Sequence, residues 1–200
     1  MTRIISGYAG SLRLNVPKSG TRPTSDRVRE AIFSALDSWN VLPGSHVIDL
    51  YAGSGALGLE AISRGASRAT LVEKNPAAAA VARTNARSVI AAYPRERAGD
   101  PPPRINVVAR GVSSYLESAT VAADVIFVDP PYELSEELLQ RDLDRIADLL
   151  SPHGIALIER SSRSPEPAWP STLTQFRRRD YGETTLWWIE LSESRPPAAE

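Results

Sequence analysis

Hydrophobic and polar positions switch between two periods along the chain. In residues 3–16 the pattern is short: Ile4-Ile5, a turn at Gly7-Tyr8-Ala9-Gly10, then Leu12, Leu14 and Val16 with Arg13 and Asn15 between them. This predicts a small β-hairpin, ended by Pro17-Lys18-Ser19-Gly20. Val28, Ile32, Phe33 and Leu36 then recur at helical spacing behind Thr24-Ser25-Asp26, which predicts a capped helix to about residue 40. Apolar runs suited to strands covered on both faces follow at 46–50, 68–73, 105–109, 124–128 and 154–159. Helical stripes separate them at 56–64, at 76–92 behind an Asn75-Pro76 cap, in a short piece through Tyr115-Leu116, and at 135–150. In that last helix Leu138, Leu139, Leu143, Ile146 and Leu150 are expected to face inward. Segments 172–181 and 184–191 around Gly182 predict a closing antiparallel pair. Regular β-α alternation predicts an α/β fold: a mostly parallel, Rossmann-like seven-stranded sheet with helices on both faces, preceded by a small N-terminal hairpin. The expected division is a basic hairpin extension at 1–22, a catalytic domain at 23–191 and a polar tail at 192–200.

Two segments carry candidate chemistry. Val47-Ile48-Asp49-Leu50-Tyr51-Ala52-Gly53-Ser54-Gly55-Ala56-Leu57-Gly58 reads as a buried strand, a glycine turn and a helix start. Gly53 and Gly55 allow a tight turn and a close ligand approach, and the free N–H groups of the helix start point back at it. Glu73 closes the next apolar run, where an acid can hold ribose hydroxyls. The combination implies a nucleoside-containing cofactor without saying which; a glycine turn kept for packing is the plain alternative.

The second segment, Val125-Ile126-Phe127-Val128-Asp129-Pro130-Pro131-Tyr132, is a strand ending in a rigid polar corner. A dinucleotide dehydrogenase has no need of it. Two prolines fix the chain and remove two donors, so carbonyls, the Asp129 carboxylate and the Tyr132 ring form an acceptor-rich pocket with a stacking face. That suits a planar ring bearing an exocyclic amine.

At these residues a resemblance is clear. Residues 49–61 together with Asp129-Pro130-Pro131-Tyr132 resemble the S-adenosylmethionine-dependent methyltransferases of base amino groups. With Arg22-Pro23-Thr24-Ser25-Asp26-Arg27-Val28-Arg29-Glu30 upstream, the chain is similar over about 3–191 to the RsmD type, guanine-N2 methyltransferases of bacterial 16S ribosomal RNA. The resemblance implies a class I methyltransferase fold. It places S-adenosylmethionine against Asp49, Tyr51, Ala52, Gly53, Gly55, Glu73, Lys74, Gly111, Val112 and Asp129. Asp129, Pro130 and Tyr132 become the catalytic set. Arg13, Lys18, Arg22, Thr24, Arg29, Pro131 and Tyr132 become substrate contacts, and no metal is implied. Relatives often carry Asp or Asn where Gly111 stands, and more basic residues around Tyr8-Ala9-Gly10-Ser11.

Composition narrows the partners. With 200 residues and 42% hydrophobic content the chain can form one α/β domain. No run reaches membrane-spanning length, the N-terminus lacks a signal-peptide pattern, and the absence of cysteine excludes disulfides and thiolate chemistry. A cytoplasmic monomer is expected. A net charge of −1 offers no global pull on nucleic acid, so RNA must meet a local patch. Arg3, Arg13, Lys18, Arg22, Arg27 and Arg29 against Asp26 make the N-terminal stretch the most basic, and Arg177-Arg178-Arg179 could extend it. His46 reads as a packed residue and His153 as a turn residue. A DNA amino-methyltransferase sharing the Asp129 corner, a methyltransferase of small molecules or proteins, and a non-catalytic RNA-binding factor stay open on sequence.

Overall fold

The computed structural model describes residues 2–17, 25–94, 101–131 and 133–192. Two short strands, β1 (Thr2–Arg3) and β2 (Arg13–Leu14), pair antiparallel with Thr2 opposite Leu14. The predicted hairpin is therefore present, with two-residue strands. Its connecting loop folds back on the body: Ile4 and Ala9 are buried in the same apolar cluster as the core strands. Helix α1 (Asp26–Ser38) starts where Ser25 accepts the Val28 N–H, and its Val28, Ile32, Phe33 and Leu36 stripe is buried as the spacing predicts.

The alternating core follows as β3 (His46–Leu50), α2 (Ala56–Ser63), β4 (Arg68–Val72), α3 (Pro76–Ala91), β5 (Arg104–Val108), α4 (Val112–Ser118), β6 (Ala123–Val128), α5 (Glu136–Leu149) and β7 (Leu150–Ser161). It ends in the antiparallel pair β8 (Leu173–Tyr181) and β9 (Thr184–Leu191). The seven-stranded sheet runs β5-β4-β3-β6-β7-β9-β8, with β3 to β7 parallel and β9 antiparallel to both neighbours. Chain order reverses at β3, which has β4 on one side and β6 on the other. That reversal opens a crevice at the carboxyl ends of the strands.

Two cores cover the sheet. On one face Val47, Leu71, Val125 and Phe127 pack with α1, α2, α3 and the N-terminal loop. On the other Ile48, Leu50, Val72, Ile126 and Val128 pack with α4 and α5. Neighbouring residues of one strand, such as Trp187 and Trp188, serve opposite cores, as the period-2 pleat requires.

The inward face of α5 differs from the expectation. Leu138 is only half-buried, and Leu139, Asp142, Leu143, Ile146 and Leu149 face the core. Leu150 already begins β7, four residues before the strand start read from the apolar run. Leucine alternation cannot separate a helix end from a strand start when both are buried. His46 is half-buried at the first position of β3; its Nδ1 lies 2.8 Å from the Ala122 carbonyl and its Nε2 3.2 Å from Thr70 Oγ1.

Candidate active site

The turn after β3 is built from backbone that leaves the extended region. Tyr51 has φ 65°, Gly53 φ 54° and Gly55 φ 82°, so the chain reverses within five residues. The Ala52 N–H donates to the Val72 carbonyl at 2.9 Å, and the Gly55 N–H to the Ala52 carbonyl at 2.6 Å. These bonds hold the turn against the end of β4. A Cβ built on Gly53 would meet nothing within 4 Å, so the space above the turn is open. Gly58 serves a different purpose: a Cβ there would stand 2.3 Å from Leu71 Cδ2 and 3.2 Å from Asp49 Cβ. Its absence lets α2 lie directly on β3 and β4.

Three carboxylates converge at this crevice. Asp49 is buried and accepts the Gly58 N–H at 2.9 Å. Burial pushes its pKa up to about 7; the Gly58 N–H opposes the rise, and the charges of Asp129 and Glu73 add to it. Glu73 accepts the Gly53 N–H at 2.9 Å on one oxygen and the Asn75 N–H at 2.7 Å on the other. A carboxylate has about four acceptor positions, so Glu73 retains capacity for hydroxyls while it braces the turn. Asp129 is half-buried directly after β6, followed by the buried Pro130 and half-buried Pro131. Among the described residues no donor meets the Pro130 carbonyl, whereas the Pro131 carbonyl accepts the Leu134 N–H at 3.0 Å. Of the two carbonyls that the proline pair was expected to present, one is thus taken by a turn. Among the described residues no cluster of His, Cys, Asp or Glu could hold a metal ion.

The remaining predicted contacts divide. Gly111 and Val112 start α4 at the end of β5, with open space where a Gly111 side chain would stand. Lys74 is exposed beside Glu73. The Tyr51 hydroxyl donates to Asp142 of α5 at 2.9 Å, which ties that side chain to α5. Arg13 is exposed on β2. Arg29, read as a substrate contact, is only 1% exposed. Its Nη2 donates to the Arg3 carbonyl at 2.9 Å and pairs with Asp26 at 2.7 Å. Buried there, it anchors the arm to α1 instead of facing a polyanion. Lys18, Arg22, Thr24 and Tyr132 lie outside the described residues. In the arginine run, Arg177 stacks over Trp39 and Arg178 over Trp187, at 5.5 and 4.6 Å from the ring centroids.

Comparison with known proteins bears on this crevice. Residues 2–190 match the family model described as conserved hypothetical protein 95. The chain is 33% identical over 184 residues to the ribosomal RNA small subunit methyltransferase D of Escherichia coli strain K12, covering 90% of this chain and 85% of that protein. The chain belongs to this methyltransferase D family. The solved structure of yhhF from Escherichia coli superposes with a TM-score of 0.79 at 30% identity, covering 95% of this chain and 97% of that one. A solved hypothetical protein of Thermus thermophilus gives 0.78 at 31% identity, covering 96% and 100%.

Members of this family are methyltransferases that use S-adenosylmethionine, and the residues present fit that group. The crevice offers an open glycine turn and a helix start whose N-cap, Gly55, brings no side-chain acceptor, with the Gly58 amide taken by Asp49. It also holds three acidic groups, two of which, Asp129 and Glu73, add to the raised pKa of Asp49, an arrangement a cationic ligand relieves.

Several residues that organise this methyltransferase site escaped the sequence reading. Glu60, fully buried in α2, accepts the Ile5 N–H at 2.6 Å, the Ser6 N–H at 3.0 Å and the Arg64 Nε at 2.7 Å. Ser63 accepts the Ala9 N–H and donates to the Ser6 carbonyl. Together they clamp the N-terminal loop onto the helix that follows the glycine turn. Asp142 receives the hydroxyls of Tyr51 and Ser113, and burial still raises its pKa. Asn85 is buried in α3. The available signal was a polar residue inside an apolar helical stripe: Glu60 between Leu59 and Ala61, and Asn85 among Ala78, Ala82, Ala86 and Val89.

Proposed function

We propose that the protein transfers the methyl group of S-adenosylmethionine to the exocyclic N2 amine of a guanine in 16S ribosomal RNA, on a small subunit or its assembly intermediate in the cytoplasm. The observation that carries this reading is the Asp129–Pro130 corner. It stands at the end of β6, beside the glycine turn of β3, within electrostatic reach of Asp49 and without a donor on the Pro130 carbonyl among the described residues. The name of the Escherichia coli relative supplies the small-subunit RNA.

S-adenosylmethionine supplies an activated methyl on a positively charged sulfur. The turn at Ala52–Gly53–Gly55 and the Asp49 carboxylate hold its methionine end, Glu73 its ribose hydroxyls, and Gly111-Val112 backbone its base. Lys74 borders the ribose side. The task left to the protein is alignment. The Asp129 carboxylate and Pro130 carbonyl accept the two hydrogens of the guanine amine and turn its lone pair toward the methyl. Methyl transfer would place growing positive charge on that nitrogen. Both acceptor bonds strengthen then, which favours the transition state over the ground state. One amine proton leaves to Asp129. Tyr132 would supply the ring on which the extruded base stacks beside Pro131, and Arg13, Lys18, Arg22 and Thr24 would meet the phosphates.

The test uses labelled S-adenosylmethionine with small subunits from a strain lacking the enzyme, their stripped RNA, and duplex DNA, followed by digestion to nucleosides. The expected product is N2-methylguanosine from the ribosomal samples alone. Label in methyladenine or methylcytosine of the DNA would overturn the RNA reading.

A further inference from the structure

Three segments distant in the chain meet on one side chain. Asn85 is 1% exposed on α3. Its Oδ1 accepts the Asn15 backbone N–H at 2.9 Å and the Asn15 side-chain amide at 3.3 Å. Its Nδ2 donates to the Asn15 carbonyl and to the Ser54 carbonyl, both at 2.9 Å. An amide side chain has two donors and one two-lone-pair acceptor, so every position is used. Asn15 follows the β2 strand of the N-terminal arm; Ser54 lies between Gly53 and Gly55 of the cofactor turn. The amide thus grips the arm by both backbone groups of one residue and the turn by the carbonyl at its apex.

We propose that Asn85 is a positioning residue that couples the cofactor turn to the N-terminal arm, so that cofactor in the turn and RNA on the arm strengthen each other's binding. The proposal rests on the RNA reading above for the identity of the second ligand. A buried amide with all its bonds made cannot release one partner without leaving a desolvated group unpaired. A ligand that fixes the Ser54 peptide therefore fixes the Asn85 rotamer, and through it the backbone of Asn15, two residues from Arg13. Coupling of this kind is reciprocal: RNA on the arm must tighten the cofactor by the factor by which the cofactor tightens RNA.

The test is the ratio of RNA dissociation constants without and with saturating S-adenosylhomocysteine, measured on stripped small-subunit RNA for wild type, Asn85→Ala and Asn85→Asp. Wild type should show about a tenfold ratio, and both variants a ratio near one. Asn15→Ala, which keeps the backbone groups that Asn85 grips, should retain the wild-type ratio. A purely structural role would weaken RNA binding equally in both conditions and leave the ratio unchanged. As a second readout free of RNA, hydrogen exchange at the Asn15 amide of the wild-type protein should slow by about the same factor when S-adenosylhomocysteine is added. Equal ratios in wild type and folded variants, or an Asn15 exchange rate that S-adenosylhomocysteine leaves unchanged, would overturn the coupling. If RNA binds none of the proteins the RNA reading fails, and the exchange measurement alone decides whether turn and arm are coupled.

Discussion

The Asp49 carboxylate, buried at the glycine turn, accepts the Gly58 amide N–H at 2.9 Å. One hydrogen bond does not replace its lost hydration, and the nearby Asp129 and Glu73 charges add to the cost, so its pKa rises from 3.8 to about 7.

The first prediction is a pH dependence with a definite sign. Between about pH 4 and 7 the folded protein keeps a proton on Asp49 that the unfolded chain has released. The native state binds more protons, so this group's contribution to stability falls as pH rises through that window and levels off above 7. Its size is at most on the order of 4 kcal/mol. Asp142, also raised by burial, acts in the same direction. Asp49→Asn should remove most of the slope in a thermal-melt series. A cationic cofactor prefers the ionised carboxylate, so calorimetric affinity for S-adenosylmethionine should climb between about pH 5.5 and 7 in wild type and stay flat in Asp49→Asn.

In the proposed mechanism, Asp129→Ala removes one of the two acceptors for the amine. Losing a preorganised transition-state acceptor costs about 10²–10³ in kcat. Single-turnover methylation should fall by that factor while S-adenosylhomocysteine affinity changes by less than about fivefold. A rate within a few-fold of wild type would remove Asp129 from the mechanism.

Gly58→Ala places a methyl group 2.3 Å from Leu71 Cδ2. Overpacking of this kind costs about 1–3 kcal/mol, and the strain falls on the Asp49 side of the turn. Chemical denaturation should show the loss, and cofactor affinity should drop with it, because either α2 or the Leu71 side chain beneath it must shift.

Glu60→Ala strands the Ile5 and Ser6 amides and takes from Arg64 its buried partner, leaving it the Asp37 pair. Breaking a buried charged cluster costs about 3 kcal/mol or more, which for a domain of this size lowers Tm by about 2–4 °C per kcal/mol. Limited trypsin digestion should then cut at Arg13 faster than in wild type. Unchanged cleavage would mean that Ser63, Arg29, Asn85 and the packing of Ile4 and Ala9 hold the arm without Glu60.

The glycine turn, the Asp129 corner, the sheet and its helices were all legible in the chain, because their causes are local. A strand covered on both faces is apolar at nearly every position, positive φ selects glycine, and two prolines stiffen the corner that contains them. The clamp of Glu60 on residues 5 and 6, and the meeting of Asn15, Ser54 and Asn85, join positions many tens of residues apart. A polar residue in an apolar stripe announces that a partner exists and cannot say which. Arg29 shows the same limit: in sequence it is one more charge in a basic stretch, and in the fold it is buried against Asp26 and the Arg3 carbonyl. The pKa of Asp49 was equally hidden, since it depends on burial and on charges brought by two other strands. Local backbone chemistry determined the elements and the Asp129 corner; only packing, which fixes distance and dielectric, decided which buried polar groups face each other and how the arm is tied to the glycine turn.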